Sequence, residues 1–204
     1  MDDQTRPNSP LAVFTIGHSN QPLETFLGLL DLHQIEVLVD VRSQPYSKYT
    51  PHFSAAELKA AILRHGLKYL FMGKELGGRP EGTEFYDAKG RVNYGLVAQS
   101  PFFLEGLERL EKGLEKYRVA LMCSEENPQH CHRHLLISRV LAERGIEIVH
   151  IRGDGTLQTE AELNRQSEAA ETGQLTLFSD EEVSAWKSIR SVSPKKPPPN
   201  SSKS

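Results

Sequence analysis

An alternation along the chain most narrows what it can fold into. Short apolar, β-branched runs recur, separated by segments with helical spacing. Ala12–Gly17 ("AVFTIG") reads as a first strand, Glu36–Val41 ("EVLVDV") as a second, "LKYLFM" as a third, "RVALMC" as a fourth and Glu147–Ile151 ("EIVHI") as a fifth. Between them, Leu23, Phe26, Leu27 and Leu30 share a helix face. Ser54 and Glu57 form a capping box for a helix that Gly66 stops. Ser100-Pro101 opens another helix, and "HRHLLISRVLAERG" reads as the last before the fifth strand. Strands apolar on both sides belong in a parallel sheet covered on both faces. The expected fold class is α/β: an open, mostly parallel, doubly wound sheet of about five strands with helices on both faces, plus a flexible C-terminal tail.

In such a sheet, ligands sit beyond the carboxyl ends of the strands. Reactive residue types follow each strand here. The first ends in Gly17-His18-Ser19-Asn20, the second in Asp40-Val41-Arg42-Ser43, and the third runs into Glu75-Leu76-Gly77-Gly78-Arg79. The fourth ends in Cys123-Ser124-Glu125 and the fifth in His150-Ile151-Arg152. Singly, each has a bland explanation. His18 can cap a helix, Arg42 can form a buried bridge with Asp40, and Gly77-Gly78 can shape a turn. Their joint placement favours a site.

The densest cluster is "VALMCSEENPQHCHRHLL", Val119 to Leu136. Cys131, His132 and Arg133 stand at an expected helix start, where free N–H groups and the helix dipole favour an anion or a thiolate. Arg133 adds a planar fork suited to phosphate. A zinc reading would take Cys123, Cys131 and His130 or His132, but the two cysteines lack the short Cys-x-x-Cys pairs of structural zinc motifs, so no metal ligand set is assigned. Cys123 or Cys131 can act as a nucleophile with His18 or His132 as base. Asp40 and Glu125 can instead form a carboxylate pair for hydrolysis. His18, Asp40, Cys123 and Glu125 are the candidate catalytic residues, and Arg42, Glu75, Cys131, His132 and Arg133 the candidate ligand-binding ones. Neither a Walker loop nor a Gly-x-Gly-x-x-Gly fingerprint is present, and no cofactor is specified.

The bulk numbers bound the partners. In 204 residues, 38% hydrophobic, one ordinary domain with appendages can bury a core. A net charge of -3 offers no whole-molecule attraction to nucleic acid, so any contact with it needs a local patch or a partner. Two cysteines make no disulfide framework. "MDDQTRPNSP" lacks the features of a signal peptide, and no apolar run is long enough to span a membrane. A cytoplasmic protein without membrane contact is expected.

"TIGHSN", "LVDVRSQPYSKY", "ELGG", "ALMCSEENPQHCHRHLL" and "IVHI", in that order, resemble the domain of unknown function 488 family over Phe14 to Arg152. The resemblance implies a small α/β domain and places His18, Asp40, Arg42, Glu75, Cys123, Glu125, Cys131, His132 and Arg133 on the family's motif positions. It brings no settled reaction with it.

Past that domain, Gln174-Leu175-Thr176-Leu177-Phe178 resembles the peptide by which bacterial polymerases and repair proteins bind the DNA sliding clamp. Leu177 and Phe178 would fill an apolar pocket while Gln174 bonds backbone at its rim. The expected division is an α/β domain over 11–153, a polar helical linker over 154–173, the clamp-binding-like peptide at 174–178 and a largely disordered tail over 179–204. The function expected is a hydrolase acting on nucleic acid or a nucleotide in DNA repair or processing, tethered to the clamp. Two alternatives stand beside it: a non-catalytic nucleotide- or DNA-binding adaptor, and a cytosolic thiol or sulfur-transfer enzyme using Cys123 or Cys131.

Overall fold

A computed structural model describes residues 11–172 and 186–192. Among the described residues six strands form one sheet: β1 (Ala12–Gly17), β2 (Val37–Asp40), β3 (Lys68–Phe71), β4 (Val119–Cys123), β5 (Glu147–Ile151) and β6 (Leu157–Thr159). Their order is β3-β2-β4-β1-β5-β6, parallel throughout except for β6. The helices are α1 (Leu23–Leu32), α2 (Ala55–Arg64), α3 (Tyr94–Ala98), α4 (Pro101–Leu114), α5 (Arg139–Glu143) and α6 (Glu160–Thr172).

Alternate strand residues feed two cores, because successive side chains point to opposite faces. Phe14, Ile16, Leu38, Ala120 and Met122 pack with Phe26 and Leu30 of α1 and Leu58 and Ile62 of α2. Val13, Val39, Val119 and Leu121 pack on the other face with Phe103 and Leu107 of α4 and Leu141 of α5. The chain thus leaves β2 toward one face and β4 toward the other, although β2 and β4 are neighbours. A crevice opens at the carboxyl ends of such a pair.

The sheet continues past the expected domain end at residue 153. β6 pairs antiparallel with β5, and α6 begins inside the fold, with Leu163 buried and Glu160 between His134 and His150. The polar segment is helical as expected, but its first turn is part of the packed body rather than a linker. Residues 186–192 likewise depart from the disordered tail expected over 179–204. Ser188 N–H donates to the Val92 carbonyl while its hydroxyl accepts from Val92 N–H, Val192 N–H donates to the Gly90 carbonyl, and the Trp186 indole N–H donates to the Leu135 carbonyl. Gln174–Phe178 lies outside the described residues.

Two local expectations also change. Ser54 makes no cap hydrogen bond to α2; its hydroxyl accepts from Ser47 N–H instead. The helix after Cys131 starts as a π-helix over Arg133–Ser138, where Ser138 Oγ donates to the Arg133 carbonyl at 2.7 Å. Wide turns of this kind often occur at functional sites.

Candidate functional site

The crevice holds a cleft of about 410 Å³. Its floor is Cys123 at the end of β4 with Cys131 and His132, which open the π-helical segment. All three are buried. The His132 Nδ1 lies 3.7 Å from the Cys123 sulfur and 3.8 Å from the Cys131 sulfur. Its Nε2 lies 3.0 Å from the Val41 carbonyl oxygen, which can only accept, so Nε2 carries the proton and Nδ1 presents its lone pair to the sulfurs. Gly78 makes room for this ring: a Cβ there would lie 2.6 Å from His132 Cγ. A Cβ at Gly77 would meet the Ser43 hydroxyl at 2.3 Å, and that hydroxyl accepts from Arg79 N–H. The "ELGG" glycines therefore press one cleft wall against the imidazole and against the loop after β2.

The two thiols differ. The Cys123 thiol is pushed well above its ordinary range by its hydrogen bond to Cys131 and by burial. Burial acts on Cys131 in the same direction, but the Cys123 S–H and the Arg133 charge outweigh it and hold this thiol well below the ordinary range. Of the pair, Cys131 is the more acidic.

Arg42 projects from the end of β2 into the cleft, locked from behind. Its Nε and Nη2 donate to the two oxygens of buried Asp40 at 2.9 and 2.6 Å. Tyr69 donates a further bond to Asp40 at 2.8 Å. The third guanidinium nitrogen lies 3.1 Å from His18 Nε2, while His18 Nδ1 lies 2.7 Å from the Ser19 carbonyl. That carbonyl needs a donor, so Nδ1 carries the proton and Nε2 accepts from Arg42. Burial and the Arg42 charge lower His18 to about 4, so it is neutral at pH 7 with its lone pair engaged. Asp40 and His18 thus orient Arg42 and do not offer a free base. Arg79 and Arg190 line the same cleft, as do Tyr46, Ser124 and Glu125.

Two residues expected to bind ligand are placed elsewhere. Arg133 is 1% exposed, and its fork donates to the Glu125 and Glu126 carbonyls, the latter at 2.6 Å, while Nε reaches Thr15 Oγ1 at 3.3 Å. It clamps the loop after β4 and has no fork free for phosphate. Gly17 completes that clamp, since a Cβ there would meet the Glu125 carbonyl oxygen at 1.9 Å. Glu75 faces Arg109 of α4 at 3.7 Å and does not line the cleft. Conversely, Tyr46, Arg79 and Arg190 were not among the expected site residues. A pattern of strand ends reveals residues adjacent to strands, and these stand on loops and on the returning 186–192 segment.

Fold and site together define an open α/β domain with a thiol–imidazole cleft at its topological switch point. The sequence profile of one family, described as "Domain of unknown function DUF488", matches residues 22–140, and the chain belongs to that family. No curated protein and no solved structure shows significant similarity to the chain. Asp40, Arg42, Glu75, Cys123, Glu125, Cys131, His132 and Arg133 fall inside the matched residues, and His18 precedes them.

Proposed function

We propose that this chain is a hydrolase acting on a nucleotide or on nucleic acid in DNA repair or processing, tethered to a bacterial sliding clamp. The observation that carries the reading is the composition of the cleft. Arg79 and Arg190, both exposed, line it, Tyr46 stands at it with 77% of its surface exposed, and Glu125 shares it with the thiol–imidazole floor. Guanidiniums suit phosphate oxygens, and an exposed ring on an ordered loop suits a nucleobase, whose stacking contributes about 1–3 kcal/mol. The loop is ordered by its own bonds: Ser47 Oγ lies 2.6 Å from Thr50 Oγ1 and accepts from Thr50 N–H. Because Asp40 is fully committed to Arg42 and Tyr69, the carboxylate left to activate water is Glu125.

The clamp tether rests on Gln174-Leu175-Thr176-Leu177-Phe178, between the helix that begins at Glu160 and the anchored Trp186. It would bring a chain of net charge -3 to DNA without a basic surface.

The test is a panel of nucleotides and short single-stranded oligonucleotides, assayed for product with the full chain, with Glu125→Gln and with Arg79→Ala. Turnover by the full chain that Glu125→Gln abolishes supports the hydrolase. Salt-sensitive binding without turnover would instead make the chain an adaptor. For the tether, a peptide spanning residues 173–182 is titrated with purified clamp. Saturable binding, lost when Leu177 and Phe178 are both changed to Ala, supports it; none at high micromolar concentration removes it.

A further inference from the structure

We propose that Cys123, Cys131 and His132 hold a thiophilic divalent cation, with zinc as the best fit, leaving a fourth position open to the cleft. The three ligand atoms lie within 4.8 Å of one another. With Zn–S near 2.3 Å and Zn–N near 2.0–2.1 Å, a tetrahedral ion sets nitrogen and sulfur about 3.6 Å apart. The observed separations from His132 Nδ1 are 3.7 and 3.8 Å. Little movement is needed to admit an ion.

The surroundings are those of a ligating imidazole. Metal-bound histidines usually donate their other N–H to a carboxylate, a carbonyl or water, which fixes tautomer and ring orientation. Val41 accepts that bond from His132, and Gly78 backs the ring. Moreover, Nδ1 has one lone pair and two sulfurs approach it. A hydrogen-bonded pair would need one sulfur; convergence of three groups on one point is what a cation uses.

The absence of a short Cys-x-x-Cys pair is no obstacle. Such pairs mark structural sites with four protein ligands, whereas three protein ligands with an open position mark catalytic ones. Here the sheet supplies one ligand and the π-helical segment two, and all three line the cleft. A second group, His134, His150 and Glu160, is also close together, but each Glu160 oxygen already lies 2.7 Å from an imidazole nitrogen and the group does not line this cleft. Binding at Cys123, Cys131 and His132 displaces the remaining thiol protons to solvent, so affinity rises with pH.

The site stands on its own geometry. Its role rests on the hydrolase reading: the open position would carry the attacking water, which zinc brings to a pKa of about 7, in the cleft that Glu125 also lines.

The experiment is a cobalt(II) titration of the full chain after chelation and removal of chelator. One equivalent should produce a thiolate-to-cobalt charge-transfer band and the strong visible bands of a tetrahedral site, both erased by one equivalent of zinc. Cys131→Ser and His132→Ala should each remove or shift them. Because those variants can fail to fold, a second measurement uses the unaltered chain: zinc should slow reaction of both cysteines with a thiol reagent at least tenfold. A weak octahedral spectrum, with thiols that react equally fast with and without zinc, would overturn the site and return the sulfurs to thiol chemistry. Metal bound without any turnover would leave the site standing and sink the hydrolase. Turnover by a chain that binds no cobalt would do the reverse.

Discussion

Gly78 lies against the face of the His132 imidazole, where a Cβ would come within 2.6 Å of Cγ and 2.9 Å of Nδ1. Those atoms belong to a ring held at its far side by Val41, so the ring cannot yield without losing that bond. Gly78→Ala should therefore cost about 1–3 kcal/mol of stability, the usual range for overpacking. Cobalt or zinc affinity should fall about 10–100-fold, as when a ligand's support is disturbed. Denaturant midpoints and metal titration read the two effects. An Ala variant unchanged in both would show that the ring is not pinned.

Arg133 separates two readings of one residue. As a clamp on the Glu125 and Glu126 carbonyls, it stabilises the ligand-free chain. Arg133→Lys keeps the charge but loses the fork, and should lower stability by about 1.5–3 kcal/mol, the range for hydrogen bonds to charged groups. If the urea midpoint is unchanged while phosphate affinity collapses, the residue grips an anion after all.

The Asp40–Arg42 pair and the Glu75–Arg109 pair should respond differently. Asp40 is fully buried, so Asp40→Asn leaves Arg42 without its counter-charge and should cost about 3–5 kcal/mol. Glu75 and Arg109 are 31% and 54% exposed, and Glu75→Gln should cost less than about 1 kcal/mol. Equal losses would contradict the assignment of only one pair to the site's frame.

Much of this arrangement was legible in the sequence. The five parallel strands, their order of reactive ends and the cleft beyond them follow from short apolar runs and strand-end chemistry. What was not legible depends on partners distant in sequence. Arg133 looks like a phosphate fork until residues 15, 125 and 126 are brought around it. β6 is three residues without an apolar pattern, visible only once paired with β5. The 186–192 segment is short and polar but for Trp186, Ile189 and Val192, and its hold comes from backbone bonds to Gly90, Val92 and Tyr94. Ser54 fits a capping box locally, but Ser47 takes its hydroxyl.

Glu160 makes a pH-dependent contribution. Burial alone would raise its carboxyl, but hydrogen bonds and charge from His134 and His150 outweigh that and lower it from 4.5 to about 2. A depressed acid stabilises the fold above its unfolded value and loses that contribution as pH falls through the folded value. The difference in stability between the unaltered chain and Glu160→Gln should thus be largest near pH 5, where the carboxylate is ionised, and fade as pH falls toward 2. A difference that grows on acidification would have the wrong sign for this pairing.

The claim that the β2–β4 cleft takes a nucleotide or nucleic acid is tested most directly by mapping amide chemical shifts while a short single-stranded oligonucleotide is added to the full chain. The expected result is a saturable set of changes at Arg42, Ser43, Tyr46, Arg79, Ser124 and Glu125, weakened by salt in proportion to the phosphate contacts made. Changes centred instead on the polar hollow at Arg152, Asp154 and Gln158, or none at millimolar oligonucleotide, would contradict it.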